Sequence, residues 1–351
     1  MNPSLYGIKN SNRNFADPFY WGKNQFNSSF PVALACYMRD NQIPAVYIRH
    51  GKKSDTQVSE LAFDDVFHSR LKNDNLFFAF EKRFHPFECF VEDELKPIDL
   101  VVVDAQTETF LRPLEIKLTT LPDDGTSAGE EINYGSEIVI RSPTMRYMAM
   151  SMAQSCAKEM KTIRTIFAPV CNKIRDWDNL HEILKWREKI MEALELFLNQ
   201  YAHNEQPLLM QPIWKTEGKT PMLANNCLDI FVWSDFALSR LFMDCTHENE
   251  DRISRPQRSA LRLARFLYEL SCGGKVFQQP IYDGMTYDTL NDKEFAVSGR
   301  KTNAYMRCPR LLKPTVTKAE IKNLILGGGQ KYLSPERRFD AILYFSKDLF
   351  E

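Results

Sequence analysis

The order of apolar and polar positions in the first half of the chain predicts a mixed α/β unit. Aromatic and β-branched residues predict strands at 77–84, 98–103 and 111–121. Apolar residues at helical spacing predict helices at 55–71, 143–160 and 173–201. Ser142 and Pro143 form a start signal for the second helix, with the serine hydroxyl as its cap. We therefore expect a mixed central sheet flanked by helices.

Clusters of Pro, Gly, Asn and acidic residues interrupt this pattern and predict loops. They fall near 122–137, 202–226, 246–257 and 279–305. The second cluster follows the long predicted helix, and we place a boundary there. Residues 1–203 then form a core with its flanking helices, and residues 204–351 form a further region with additional helical elements. The sequence leaves open whether this region is a separate domain or packs into the core.

The strands at 98–103 and 111–118 are joined by a short polar turn and predict a β-hairpin. In the second strand, aliphatic residues alternate with Glu115 and Lys117, so the carboxylate and the ammonium share the face opposite the aliphatics. Asp99 begins the first strand, where the hairpin brings it opposite Glu115 and Lys117. Two carboxylates and a lysine are therefore expected to converge.

This convergence favours a site for Mg²⁺, which prefers oxygen ligands and is usually held by one or two carboxylates. A metal-bound water is easier to deprotonate, and a lysine can orient it and offset charge on a phosphorus-centred transition state. We expect phosphodiester hydrolysis, with Asp99 and Glu115 as metal ligands and Lys117 as the third catalytic residue. The spacing alone also fits the charged outer face of an ordinary strand.

Other chemistries lack their motifs. The eight cysteines include no C-x-x-C pair, and the six histidines include no H-E-x-x-H, so zinc or redox sites have no support. A serine hydrolase would need a G-x-S-x-G elbow, which is absent. The N-terminal sequence has no leader-like pattern, and no apolar run approaches the roughly 18 residues of a membrane span. These features predict a cytoplasmic protein.

The net charge of −1 conceals an uneven distribution of charge. Between residues 252 and 338 there are 17 Lys or Arg and 7 Asp or Glu, a net charge of +10, which leaves −11 for the rest. A basic segment of this kind suits DNA phosphates. We take as candidate DNA contacts the helical stripe Arg258, Arg262 and Arg265, the loop residues Arg300, Lys301 and Asn303, and the pair Arg337 and Arg338. A merely solvated surface fits these patterns equally well.

Three segments carry a resemblance to a known family: PIDLVVVD from Pro97, LRPLEIKLTTLPD from Leu111 and LSPERRFDAILYFS from Leu333. They resemble type II restriction endonucleases of the HindVP type, in the PD-(D/E)xK nuclease superfamily. Asp99, Glu115 and Lys117 match the motif residues, although Ile98 separates Pro97 from the aspartate.

The resemblance implies a restriction-endonuclease-like fold, a mixed central sheet flanked by helices, with further helical and C-terminal DNA-binding elements. It also implies Mg²⁺ dependence, a homodimer, and cleavage of both strands of a short palindrome of the form GRCGYC. Double-stranded DNA is then the substrate, and a DNA methyltransferase that protects the host is a functional partner.

Some alternatives remain open. Many superfamily members add a carboxylate before the hairpin, for which Glu60 is the first candidate and Glu81 the second, although both fit ordinary surface positions. The same hairpin would serve a structure-selective repair or recombination nuclease. A third hypothesis is a DNA-binding regulator without catalysis, in which the acidic hairpin is structural.

Overall fold

The computed structural model describes residues 8, 10–13, 23–51, 57–121, 138–217, 222–244, 252–287, 293–297, 310 and 313–321. The helices are α1 (Lys23–Asp40), α2 (Phe63–Val66), α3 (Ser142–Ser155), α4 (Met160–Cys171), α5 (Leu180–Tyr201), α6 (Asp235–Asp244), α7 (Arg255–Gly273) and α8 (Gln278–Asp283). The strands are β1 (Ala45–Arg49), β2 (Gln57–Leu61), β3 (Leu76–Lys82), β4 (Ile98–Asp104), β5 (Phe110–Ile116), β6 (Thr119–Leu121), β7 (Ile138–Arg141), β8 (Pro207–Glu217), β9 (Met222–Ser234), β10 (Lys293–Val297) and β11 (Val316–Thr317). Within these ranges no helix is both long and apolar enough to cross a membrane.

A nine-stranded mixed sheet forms the centre of the fold. Its main path runs β2-β1-β9-β8-β5-β4-β3, with β11 paired to β9 and β6 paired to β8. The pairs β1 with β9, β5 with β8 and β6 with β8 are parallel, and the other pairs are antiparallel. Strands β7 and β10 form a separate antiparallel pair. The expected β4–β5 hairpin is present, with Leu100 opposite Leu114.

Helices cover both faces of this sheet. Residues of α3 to α8 pack into one hydrophobic core, and residues of α1 and α2 pack into another. Strand β4 contributes to both, because Val101 and Val103 face the first core while Leu100 and Val102 face the second. The expected mixed central sheet flanked by helices is confirmed.

Strands β8 and β9 correct the loop expected at 202–226. Both lie inside the sheet, between β5 and β1, so residues 207–234 share a sheet with the first half of the chain. Pro212 explains why the sequence misleads, since proline cannot donate a hydrogen bond to a ladder. It lies beyond the pairing of Met210 with β5 and before that of Ile213 with β6. The expected boundary after residue 203 thus falls just before two strands of the central sheet.

Two predicted helices differ from the observed elements. Residues 57–61 of the expected helix at 55–71 form the edge strand β2, and only Phe63–Val66 is α-helical. The spacing of Val58 and Leu61 fits a helix locally, but pairing with β1 decides the outcome. The helix expected at 173–201 begins at Leu180, where the Asn179 side chain caps it.

The methionine-rich helix is α3, and it is buried as expected. Met145, Met148, Met152 and Cys156 are each at most 1 % exposed and belong to the core that covers one face of the sheet. Its cap differs from the prediction, because the N-cap residue is Arg141 and Ser142 is the first helical residue. The helix ends at Ser155 rather than near Met160, where α4 begins.

A fully buried carboxyl group, that of Asp235, joins α3 to the start of α6. It accepts hydrogen bonds from Ser151 Oγ at 2.7 Å and from the backbone N–H groups of Gln206 and Phe236, both at 2.9 Å. Burial nevertheless raises the pKa of Asp235 to about 7, because the hydrogen bonds lower it by less. The protonated form is therefore the one that favours folding.

This burial predicts a pH dependence of stability. Because the folded pKa lies above that of the unfolded chain, the contribution of Asp235 is complete below about pH 4 and is lost as the pH rises through about 7. Relative to Asp235→Asn, wild-type protein should lose up to ~1.4 kcal/mol of unfolding free energy per pH unit across this window. Urea unfolding in EDTA measures the difference, with Glu192→Gln on the exposed face of α5 as the control. Parallel pH profiles for wild type and Asp235→Asn would contradict it.

Candidate active site

The hairpin residues Asp99, Glu115 and Lys117 meet at a cleft of about 400 Å³. The cleft opens where β4 begins and β5 ends, and the first turn of α3 forms part of its wall through Pro143 and Thr144. The alternation predicted for β5 is present, because Leu114 and Ile116 pack into the core beneath α1. Glu115 and Lys117 therefore face the other side of the sheet, toward α3.

The three side chains are linked by hydrogen bonds and ion pairs. Asp99 Oδ2 accepts a hydrogen bond from the backbone N–H of Ile116 at 2.9 Å. It also lies 3.9 Å from Lys117 Nζ, which donates a hydrogen bond to Glu115 Oε1. The backbone beyond β5 is fixed by a bond from Lys117 N–H to the carbonyl of Met210 in β8, at 3.0 Å. Backbone hydrogen bonds of β5 and β8 therefore both help to position the cluster.

The electrostatics of the cluster follow from partial burial and from the closeness of its charges. Burial first, and then the Glu115 carboxylate, raise the pKa of Asp99 to about 7. Burial lowers the pKa of Lys117, but Glu115 and Asp99 outweigh it and raise that pKa above its ordinary value. Lys117 is thus an ammonium in this structure and acts as a cation and hydrogen-bond donor rather than as a base.

The donor set of the cleft fits a hard divalent cation that is completed by water and substrate. Among the residues that the structure describes, no three His, Cys, Asp or Glu side chains cluster closely enough to hold a metal. Zinc, which takes three or four protein ligands, is therefore a poor match for the described residues. Mg²⁺ is commonly bound by one or two carboxylates together with water and phosphate, and Asp99 with Glu115 supplies such a pair.

Of the two further carboxylates considered, Glu81 lies at the cleft and Glu60 does not. Glu60 is on the edge strand β2, is 71 % exposed, and lies 3.8 Å from Arg310 Nη1. Glu81 lines the cleft. It lies across from Asp99 on the neighbouring strand, between the pairs Phe80–Leu100 and Lys82–Ile98. Its φ of +50° is uncommon for a residue with a side chain. The pairing of β3 with β4 thus makes Glu81, rather than Glu60, the first candidate for an additional carboxylate at the site.

An N-terminal arginine was not anticipated at this place. Arg13 donates a hydrogen bond to Ser28 Oγ at 2.9 Å and lies 3.8 Å from Glu81 Oε1. The preceding residues hold it there, since Asn12 exchanges two hydrogen bonds of 2.8 Å with the backbone of Phe80 in β3. In the sequence, Arg13 is one basic residue in a polar, Asn-rich stretch, with no periodic pattern to mark it.

The arginine stripe on α7 is not a solvent-exposed face, which corrects the expectation from sequence. Arg258 and Arg262 are 2 % and 3 % exposed. Arg262 Nη2 donates to the carbonyl of Gly284 at 2.5 Å, and Arg265 pairs with Glu269 at 2.7 Å. The helical face is real, but Arg258 and Arg262 pack against neighbouring elements and are almost fully buried, while Arg265 is partly buried. Contact of these arginines with DNA stays a prediction.

The other expected DNA contacts lie outside the described residues. They are Arg300, Lys301, Asn303, Arg337 and Arg338. Arg310, from the same basic segment, is described and is used internally. Its guanidinium pairs with the buried Asp229 carboxylate at 2.5 and 2.9 Å. The number of Lys and Arg residues in this segment therefore includes at least one cation that forms an ion pair inside the fold.

Comparison with known proteins gives matches over almost the whole chain. The family model described as HindVP restriction endonuclease matches residues 21–350. Type II restriction enzyme HgiDI of Herpetosiphon aurantiacus is 40 % identical over 350 residues, covering 99 % of this chain and 97 % of that protein. Probable type II restriction enzyme HindVP of Haemophilus influenzae is 38 % identical, covering 100 % and 96 %. No solved structure matches the chain.

Proposed function

Because the chain belongs to the HindVP restriction endonuclease family, we propose that it is a type II restriction endonuclease that hydrolyses phosphodiester bonds in double-stranded DNA. The observation that carries the proposal is the meeting of Asp99, Glu115 and Lys117 on one face of the sheet, at an open cleft. This is the arrangement that a cation-dependent hydrolysis of a phosphodiester needs.

In the proposed mechanism, the Asp99 and Glu115 carboxylates would hold Mg²⁺. When bound there, the cation would supply Lewis-acid stabilisation of charge at phosphorus and make water easier to deprotonate. Lys117 Nζ, held as an ammonium between the two carboxylates, orients the attacking water and offsets negative charge as it builds on the phosphoryl oxygens. The Ile116 N–H keeps the Asp99 side chain in place through its 2.9 Å hydrogen bond.

Further proposals about the reaction rest on membership of this family. We infer Mg²⁺ as the cofactor, a homodimer that cuts both strands, and a short degenerate palindrome of the form GRCGYC as the recognition site. The basic residues of the last hundred positions, with Arg300, Lys301, Asn303, Arg337 and Arg338 as candidates, would contact the duplex. A methyltransferase that modifies the same site would protect the host DNA.

Digestion of two substrates tests this proposal. Purified protein is incubated with plasmid DNA and with a branched junction, each with Mg²⁺ or with EDTA. We expect discrete plasmid fragments that require Mg²⁺, and no preference for the junction. Cutting of the junction regardless of sequence would identify a structure-selective nuclease instead. Site-specific footprints without nicking at any Mg²⁺ concentration would identify a DNA-binding regulator.

A further inference from the structure

The first turn of α3 reaches the cleft without the side-chain cap that Ser142 and Pro143 predict. The N-cap residue is Arg141, whose side chain makes no capping hydrogen bond. The Ser142 hydroxyl is used differently, since it accepts a hydrogen bond from Arg146 Nε at 3.1 Å. N–H groups at the start of a helix lack partners within the helix, and together with the helix dipole they favour an anion.

Thr144 provides an independent sign of a missing partner at the same place. Its side chain is 1 % exposed and lines the cleft. Its Oγ1 atom is buried and has no hydrogen-bond partner among the residues that the structure describes. Buried hydroxyl groups in native proteins are normally hydrogen-bonded, because an unsatisfied one is costly. An acceptor bound against this side of the cleft would supply the missing partner.

Arg141 brings a positive charge to the same wall of the cleft as Thr144. Arg141 is exposed and lines the cleft beside Thr144, and it is the residue from which the chain enters α3. The groups offered here are a guanidinium, a hydroxyl and the backbone N–H groups of Ser142 and Thr144, since Pro143 has none, and all of them can donate hydrogen bonds. Such a set matches a phosphate oxygen better than a neutral or cationic ligand.

The position of this turn relative to Asp99 is fixed by Tyr147, one turn further along α3. The Tyr147 hydroxyl donates to the carbonyl of Lys96 at 2.9 Å and accepts from the N–H of Phe84 at 3.1 Å. Lys96 comes three residues before Asp99, and Tyr147 is completely buried. A group bound at the start of α3 is thus held at a defined place relative to the Asp99 carboxylate.

We propose that Arg141, Thr144 Oγ1 and the N-terminal turn of α3 form a subsite for a DNA backbone phosphate adjacent to the one that is hydrolysed. The inference rests on the proposed nuclease function, because the phosphate belongs to the strand that runs through the cleft. The subsite fixes the register of that strand, so that the neighbouring phosphodiester lies against Asp99, Glu115 and Lys117.

Binding of duplex DNA in Ca²⁺, with thermal unfolding of the free protein, tests the subsite. Thr144→Val should lower DNA affinity about tenfold, since it removes a hydrogen bond to a charged oxygen, while Thr144→Ser stays within about twofold of wild type. The unfolding midpoint of free Thr144→Val should be unchanged or higher by about 2 °C, because an unsatisfied buried hydroxyl is removed. Arg141→Gln should lower affinity and reduce the salt slope of log K by about one.

Matched controls are Arg164→Gln and Thr165→Val, an exposed arginine and threonine on α4, which should bind as wild type does. A methylphosphonate at the adjacent phosphate should weaken wild-type binding and have no added effect on the double variant at 141 and 144. If wild-type protein cuts DNA while Thr144→Val and Arg141→Gln both bind within about twofold of it, the subsite is wrong and the proposed function stands. If wild-type protein neither binds nor cuts DNA, both are wrong.

Discussion

Replacement of Lys117 by alanine is expected to reduce DNA cleavage by about 10³-fold or more while leaving DNA binding in Ca²⁺ close to that of wild type. The ammonium is 3.9 Å from Asp99 Oδ2 and hydrogen-bonded to Glu115, where it offsets charge that develops only during the reaction. Single-turnover cleavage with saturating protein measures the chemical step, and a filter or mobility assay in Ca²⁺ measures binding.

Lys161→Ala, at an exposed position on α4, is the matched control and should cut at the wild-type rate. Wild-type-like cleavage by Lys117→Ala would overturn the assignment of the active site. Loss of binding in step with cleavage would instead give Lys117 a role in holding DNA.

Asp99→Asn is expected to abolish cleavage to a similar extent and, at the same time, to stabilise the free protein. Asparagine can still accept the hydrogen bond from the Ile116 N–H, but it no longer places a second carboxylate beside Glu115. Because the pKa of Asp99 is raised to about 7, its contribution to folding is complete below about pH 4 and is lost as the pH rises through about 7.

The gain in stability of Asp99→Asn in EDTA should therefore be larger near pH 8 than near pH 5. Since 37 % of the Asp99 side chain is exposed, solvent keeps this gain below that of a fully buried carboxyl. Mg²⁺ or Ca²⁺ should raise the thermal midpoint of wild type and leave that of Asp99→Asn unchanged, because the variant lacks one of the two carboxylates. An Asp99→Asn protein that is less stable than wild type in EDTA, but whose thermal midpoint still rises with cations, would contradict this prediction.

The hairpin could be predicted from the sequence because its information is local. A period of two in β5 separates Leu114 and Ile116 from Glu115 and Lys117, and a short turn decides that the strands pair. The place of Glu81 could not be predicted in this way. It depends on the pairing of β3 with β4, which joins residues about twenty positions apart.

The arginines of α7 show a second limit of sequence patterns. Helical spacing establishes which residues share a face, but it does not say whether that face meets water or another element. Arg262 is buried because Gly284 and the Tyr282 ring lie against its guanidinium, and Arg265 lies over the Trp177 ring. These partners are brought together only by the tertiary fold. Strand β8 is hard to predict from the sequence for a related reason, since Pro212 cannot donate to a ladder and lies where β5 gives way to β6 as the neighbouring strand.

Cleavage of DNA at one short sequence by the Asp99–Glu115–Lys117 cleft, with the help of Mg²⁺, is tested by sequencing the ends that the purified protein makes in genomic DNA. A parallel digest uses the Lys117→Ala protein. We expect wild-type ends to accumulate at a single degenerate palindrome and only with Mg²⁺, and the variant to produce none. Ends spread without sequence preference, or ends produced equally by wild type and variant, would contradict it.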